Sequence, residues 1–425
     1  VTPPAPGEPT GSAEPTPVAA PPPNTLANAV AVDAKPADPE DSIPTEKTGT
    51  LMERVQDWRK KNELLETGAF FFVGFVYDVL TLSRIDDTFT LVQQFLYLGV
   101  LASLLVLEQR YPEGAEPPKA LAKVWKWRED AIHFFYGSLL SSYTLFFFKS
   151  ASGLTAFLFL VAMFGLMVAN ELPNFRQIGP VVRVALFSTC TGMYFAYLLP
   201  ILIGRANFWV FLLAQVLAGG CVFGVMKLLR RWNILDQLQV LRQIALPGFS
   251  MLAALLFLYL VRVLPPVPLA VQFSGIYHAV EKQGSAYALS YQPKWWKFWH
   301  KGDQDFSARP GDKAYYFFSI FAPKGFATYK VNVRYYYDHP QKGWTNVSTV
   351  PLTINNKGIE RGYRTFAYTS NPKPGDWRAV VETEDGHEIS RLSFSVEEDT
   401  STEARQFEVF MHDPDKKPEV VAEKK

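Results

Sequence analysis

Between residues 68 and 270 the chain is a succession of apolar runs, at 68–83, 89–107, 131–148, 153–170, 182–203, 207–229 and 248–269, while both ends are polar. A helix that crosses a bilayer needs about 20 largely apolar residues, and the shorter runs can extend into their flanks. The pattern therefore predicts a membrane all-α bundle of seven transmembrane helices over 68–270. The stretch FFFKSASGL between the third and fourth runs is so brief that those two helices form a tight antiparallel hairpin. The competing reading, seven buried helices of a soluble protein, would require all of them to share one core.

After RVLPPVPLA the period changes. Short runs rich in β-branched and aromatic residues follow, separated by Gly, Pro, Asn and Asp clusters, which is the signature of strands and turns. In RLSFSV, Leu392, Phe394 and Val396 alternate with Ser393 and Ser395 as in a half-buried strand. Asp385-Gly386 reads as a tight hairpin turn, because both residues tolerate positive φ. Trp377, entering a strand after Gly375-Asp376, is expected to plug the core. Eight strands at this spacing predict an antiparallel immunoglobulin-like sandwich over 271–398.

The flanks have other patterns. Residues 1–48 are rich in Pro and Ala and poor in aromatics, which predicts a disordered arm. In 49–67, Leu51, Val55, Trp58 and Leu65 recur at helical spacing among basic residues. That predicts an amphipathic helix, lying on an anionic membrane surface or packed on the bundle. Ile234, Leu238, Leu241 and Ala245 predict a cytoplasmic amphipathic helix ahead of the last apolar run, its stripe free to lie on the membrane or pair with a partner. Residues 399–425 read as a charged, disordered tail.

Charge then sets orientation. With the N-terminus cytoplasmic, the inside segments carry 16 Lys and Arg and the short outside loops only Arg84, Lys149 and Arg205. This bias predicts a cytoplasmic N-terminus and an extracytoplasmic C-terminal domain. No basic-then-apolar leader opens the sequence, so the first apolar run is expected to be a retained anchor. The net charge of +1 argues against nucleic acid as a partner. Cys190 and Cys221 both fall in apolar runs and read as packing residues.

The stretch RGYRTFAYTSNPKPGDWRAVVETEDGHEISRLSFSV resembles a bacterial extracytoplasmic domain of unknown function. It shares a Gly-Tyr-Arg strand, a Pro-Gly-Asp-Trp-Arg entry, an Asp-Gly hairpin and a closing Phe-x-Val strand. The resemblance implies a multi-pass proteobacterial inner-membrane protein with a periplasmic all-β domain, and it implies no activity.

Ionisable and amide side chains inside the apolar runs are the first candidates for chemistry, because each is costly in a membrane. Asp78, Gln93, Gln94 and Arg262 fall at similar depth near the outer side. An Asp78–Arg262 pair would be a substrate site or a structural clasp. His133, Glu171 and Arg183 sit at inner helix ends, as ordinary end charges or as a proton relay. Gly220 and Gly224 form a small-xxx-small pair, expected to serve packing within the chain more than a dimer seam. The run from Lys294 to Lys301 sets Trp295, Trp296, Phe298 and Trp299 among lysines. Three uses are open to those rings: a membrane interface, a glycan-stacking platform, or core.

No catalytic residue, metal site or cofactor is predicted, because no enzyme fingerprint or ligand spacing occurs. The leading functional reading is an envelope protein whose sandwich binds a protein or glycan partner, with the bundle in the bilayer as anchor or signal-passing element. A transporter or membrane enzyme using the bundle's polar residues is the alternative. Homo-oligomers could form through the transmembrane or cytoplasmic helices.

Overall fold

The computed structural model describes Val76 and residues 85–112, 114–115, 117–171, 179–293, 301–323, 326, 328–355, 362–413 and 419–422, all within the unit Lys61–Lys425. The predicted arm, the 49–67 helix and all but Val76 of the first apolar run lie outside the described residues.

Beyond Val76, itself helical, seven helices come first among the described residues: α1 (Thr88–Arg110), α2 (Lys119–Trp125), α3 (Arg128–Ser150), α4 (Gly153–Glu171), α5 (Pro180–Ile203), α6 (Phe208–Arg231) and α7 (Gln237–Leu260). By length and composition, α1, α3, α5, α6 and α7 can each cross a membrane, and α4 has a shorter apolar part at Ala156–Asn170. Five such helices, rather than the expected seven, are seen among the described residues. The α3–α4 hairpin is as tight as expected, with only Ala151 and Ser152 between the helices.

Local chemistry starts these helices where the apolar runs begin. Asp87 Oδ2 accepts from the amide of Thr90 at the start of α1, and Asn207 Oδ1 from that of Val210 at the start of α6. Each satisfies an amide that has no partner within its helix. Gly204 closes α5 with φ 75°, its amide bonded to the Pro200 carbonyl.

The central helix is α5, packed against α1, α3, α6 and α7. Its Ser188, Thr189 and Thr191 hydroxyls donate to the carbonyls four residues back, so they enter an apolar bundle without needing other partners. Close packing rests on Gly192 and Gly248: an added Cβ would meet Leu255 at 2.8 Å and Val222 at 2.7 Å respectively. At Gly220 and Gly224 an added Cβ meets nothing within 4 Å, so among the described residues this pair does not serve the expected close packing.

The amphipathic segment before the last run is not a separate helix. It continues into α7 through a π-helical turn at Leu241–Ala245, closed by the Leu246 amide bonding to the Leu241 carbonyl. Pro247 lacks an amide hydrogen, and its ring would crowd a regular turn. The wider turn accommodates both defects and the helix runs on.

Among the described residues twelve strands follow, ten of them in the region where eight were expected: β1 (Ala270–Tyr277), β2 (Ala279–Gln283), β3 (Ala286–Tyr291), β4 (Asp305–Ala308), β5 (Lys313–Phe321), β6 (Thr328–His339), β7 (Gly343–Asn355), β8 (Tyr363–Ser370), β9 (Gly375–Thr383), β10 (Glu388–Glu398), β11 (Glu408–His412) and β12 (Glu419–Ala422). They form sheets of order β1-β5-β8, β4-β10-β9-β6-β7 and β12-β11-β3-β2. The first two sheets share a core of Ile276, Tyr316, Phe318, Val333, Tyr335 and Trp377, among others. On β5, Tyr316, Phe318 and Ile320 face that core, while Phe317 joins a second one with Tyr287, Leu289 and Phe410. A strand covered on both faces explains the unbroken apolar run YYFF.

Two segments of the expected disordered tail, Glu408–His412 and Glu419–Ala422, are strands. From Glu408 to His412 the chain pairs residue by residue with β3, and β12 pairs with β11. Phe410 is only 3% exposed, and its burial supplies the apolar contact that holds this short strand on the domain.

Candidate functional site at the junction of the bundle and the β domain

The hairpin joining β9 to β10 meets the end of α7. Its loop is Glu384–Gly386: the Gly386 amide bonds to the Thr383 carbonyl and the Thr383 amide to the His387 carbonyl. Gly386 has φ 82° and Asp385 does not adopt a positive φ. The loop is thus one residue longer than the expected Asp385-Gly386 turn, a three-residue connection with its glycine in the left-handed position.

That geometry frees the Asp385 carboxylate to collect donors. Thr383 Oγ1 donates to Oδ1 at 2.6 Å, and the Tyr259 hydroxyl of α7 donates to Oδ2 at 2.7 Å. His387 Nδ1 lies 3.4 Å from Oδ2. Burial opposes ionisation of Asp385, but these donors outweigh it and hold the carboxyl well below the usual carboxylate range.

His387, 4% exposed, faces the Tyr259 backbone carbonyl with its other ring nitrogen at 3.0 Å. A carbonyl in the last turn of a helix has no amide ahead of it within the helix. Here a side chain from the β domain helps cap it. The Tyr259 ring stacks on Phe211 of α6 at 4.1 Å and 11°, and packs against His387 at 4.1 Å. Two further contacts tie the domains together. Ser152, in the α3–α4 turn, donates to Glu388 at 2.7 Å, and Tyr329 of β6 donates to the Ala206 carbonyl in the α5–α6 turn at 2.8 Å.

A second feature lies on the outward face of the five-stranded sheet. The pairing register places Asn346, Tyr336, Arg378 and Ser393 side by side across β7, β6, β9 and β10. The Arg378 guanidinium lies 3.6 Å over the Trp344 ring, and its Nε is buried without a hydrogen-bond partner. Trp344 remains 37% exposed. Arg378 is seven residues before Asp385, so this row stands about 20 Å from the junction.

The sequence-predicted residues are distributed as follows. Arg262, at φ 59°, lies against the hairpin, where a Cβ on Gly386 would meet its guanidinium carbon at 2.9 Å. Its expected partner Asp78 lies outside the described residues. Gln93 donates to Tyr97 of its own helix at 2.6 Å. Gln94 is buried and accepts from Tyr197, while its Nε2, the Tyr143 hydroxyl and Gln215 Oε1 have no hydrogen-bond partner. At the other end of the bundle, Arg183 pairs with Glu108 and not with His133, which meets Asn170 at 3.3 Å. Glu171 ends α4, and its side chain lies outside the described residues, as do Trp295, Trp296, Phe298 and Trp299. Trp377 is buried at 3%, donates to the Lys373 carbonyl at 2.8 Å and stacks on Phe394.

Sequence reasoning missed Tyr259, His387, Glu108 and the Trp344–Arg378 pair. The alternation of β6, β7 and β9 carries a signal for the last of these, since it puts Trp344, Tyr336 and Arg378 on the outward-facing positions.

Residues 328–396 match the model of a family described as a protein of unknown function, DUF2914. The match spans β6 to β10 and so contains the junction hairpin and the Trp344–Arg378 row. No curated protein matches the chain. An immunoglobulin-like protein from Pseudomonas aeruginosa is similar at 12% identity, covering 31% of this chain and 98% of its own, with a TM-score of 0.19. An alkylpurine DNA glycosylase from Pseudomonas fluorescens, bound to DNA containing an abasic-site analogue, is similar at 11% identity, covering 74% of this chain and 99% of its own, with a TM-score of 0.16.

Proposed function

We propose that the chain is a multi-pass inner-membrane envelope protein with its immunoglobulin-like domain in the periplasm. In this reading the domain recognises a glycan or protein partner and passes its engagement to the bundle. The observation that carries it is the junction. The β domain is not hung from a free linker, because Asp385 and His387 grip the end of α7 while Ser152 and Ala206 hold the neighbouring turns. A force on the sheet therefore reaches three inter-helix or helix-end segments at once.

Membrane insertion is supported by the exposed apolar surface of the helices, including Phe95, Phe134, Phe157, Leu202, Val216 and Phe257. Trp209 and Trp232 are 72% and 45% exposed at opposite ends of α6. They stand about 35 Å apart along the axis, which suits the two interfaces of a bilayer. The helix end and turn beside the β-domain contacts carry Lys149 and Arg205, the basic-poor side of the charge count, which supports a periplasmic domain.

The partner-binding face in this reading is the row of Asn346, Tyr336, Arg378 and Ser393 beside Trp344, on the sheet face opposite the core residues Tyr335, Trp377 and Phe394. An aromatic plane next to amide, hydroxyl and guanidinium groups suits a sugar ring and its hydroxyls. For the run of Trp295, Trp296, Phe298 and Trp299 we propose a place in the headgroup layer, where an amphipathic ring and a snorkelling lysine are both satisfied.

Reporter fusions after Val396 and before Leu51 test the orientation: activity is expected only outside the cytoplasm for the first and only inside for the second. Reversed activities refute it. Glycan-array binding by the full chain in nanodiscs, lost in Trp344→Ala and Arg378→Ala, tests the partner face. A second reading, a transporter or membrane enzyme, draws on the unpartnered polar atoms of Gln94, Tyr143 and Gln215 in the bundle interior. Substrate-dependent protection of Gln94 or Tyr143 from hydroxyl-radical labelling would favour it.

A further inference from the structure

We propose that the bundle holds a specific anionic glycerophospholipid in a groove between α1 and α6. The proposal rests on the membrane-inserted reading above. The groove is a cavity of about 500 Å³ with α5 as its floor. Its walls are small where the two outer helices face each other: Gly99, Ala102 and Ser103 on α1, Cys221 and Gly224 on α6. An ideal Cβ on Gly99 or Gly224 would meet nothing within 4 Å, so the space between the helices is open.

The chemistry of the walls selects the guest. The groove's two hydroxyls are both turned back on their own helices, Ser103 to the Gly99 carbonyl at 2.8 Å and Thr191 to the Phe187 carbonyl at 2.7 Å. The interior thus presents hydrocarbon to whatever occupies it, which fits an acyl chain and disfavours a polar solute. Length agrees. From Phe95 to Leu107 the groove follows α1 for about 18 Å, close to the roughly 15 Å depth of one leaflet's hydrocarbon.

One end of the groove is different. Trp232 closes it, with the Arg110 guanidinium 5.3 Å from its ring, and Arg230 and Arg231 are exposed beside it. Among the described residues none of these arginines makes an ion pair. The neighbouring acids among the described residues are already used: Glu108 pairs with Arg183, and Asp236 caps α7 by accepting from the Gln239 amide. A groove of hydrocarbon ending in a tryptophan and three unmatched cations is complementary to an acyl chain ending in a phosphate. Charge complementarity thus favours the lipid over a second copy of the chain, which would bring the same cations to the same place.

The test uses the full chain extracted from membranes in a mild detergent. Retention of dioleoyl-phosphatidylglycerol and dioleoyl-phosphatidylcholine is compared by native mass spectrometry. We expect preferential retention of the anionic lipid. Each cation near a headgroup contributes about a fivefold change, so Arg110→Gln with Arg231→Gln should lower that preference by more than about tenfold. Gly99→Leu with Gly224→Leu fills the groove without a clash and should lower retention of both lipids.

Equal retention of the two lipids, unchanged by the arginine variants, overturns the proposal. So does a dimer of the delipidated protein that the leucine variant abolishes, because a second copy is then the occupant. Alkaline carbonate extraction separates the two readings. Release from the membrane refutes insertion and this site together, whereas retention with no headgroup preference refutes the lipid site alone.

Discussion

Removing the Tyr259 hydroxyl isolates the coupling between the bundle and the β domain. Tyr259→Phe keeps the ring stacked on Phe211 and deletes only the 2.7 Å bond to Asp385. Hydrogen bonds to a charged group contribute about 1.5–3 kcal/mol. The Asp385 side chain is 24% exposed and keeps Thr383 as a donor, so the lower end, about 1.5 kcal/mol, applies. Asp385→Ala deletes the acceptor that the Tyr259 and Thr383 hydroxyls share and leaves both without it, at a cost of about 2–4 kcal/mol. In the double variant the Tyr259 bond can be lost only once, so the two losses should fall short of additivity by about 1 kcal/mol or more.

Hydrogen exchange of the full chain in nanodiscs reads this locally. The amides of Arg262 and Val263 bond to the carbonyls of Tyr259 and Leu258 at 2.9 Å and report opening of the helix end. A loss of about 1.4 kcal/mol speeds their exchange roughly tenfold. Acid provides the sign check. The folded Asp385 carboxyl is held below its ordinary range, so its contribution is complete above about pH 4 and disappears as pH falls through the folded value. Tyr259→Phe should move that loosening to higher pH. Strict additivity in the cycle, or exchange at Arg262 that ignores both substitutions, would refute the coupling.

Three further outcomes follow from the packing. Weakening the Glu108–Arg183 pair by Glu108→Gln should destabilise the bundle by about 1.5–3 kcal/mol, the range for a hydrogen bond to a charged group, measured by unfolding in mixed micelles. Gly248→Leu should destabilise the bundle by about 1–3 kcal/mol because Val222 stands 2.7 Å from the new Cβ, whereas Gly220→Leu should leave the melting temperature unchanged. Phe410→Ala should cost the β domain about 3 kcal/mol by denaturant titration, where a tail making no contacts would cost nothing.

Much of the architecture was readable from local patterns. The apolar runs from residue 89 onward became helices because about 20 consecutive apolar residues leave a chain few other stable solutions. Asp87 and Asn207 then mark where α1 and α6 begin. The alternation in RLSFSV and the placement of Trp377 needed no more than period-two burial against one sheet.

The tertiary structure decided what depends on partners distant in sequence. The run around Phe410 is a strand only because β3, more than a hundred residues earlier, offers a free edge and an aromatic core. The segment at Leu238 became part of α7 because a π turn absorbs Pro247, which a periodicity argument treats as a break. Gly192 and Gly248, not Gly220 and Gly224, became the packing glycines, because which face a small residue turns inward depends on the neighbouring helix. The junction shows this most clearly. Tyr259 and Asp385 are 126 positions apart, and neither points to the other in its own segment, one being an aromatic at a helix end and the other a turn residue. Only the docking of two independently patterned domains turns a hairpin loop into the cap of a helix.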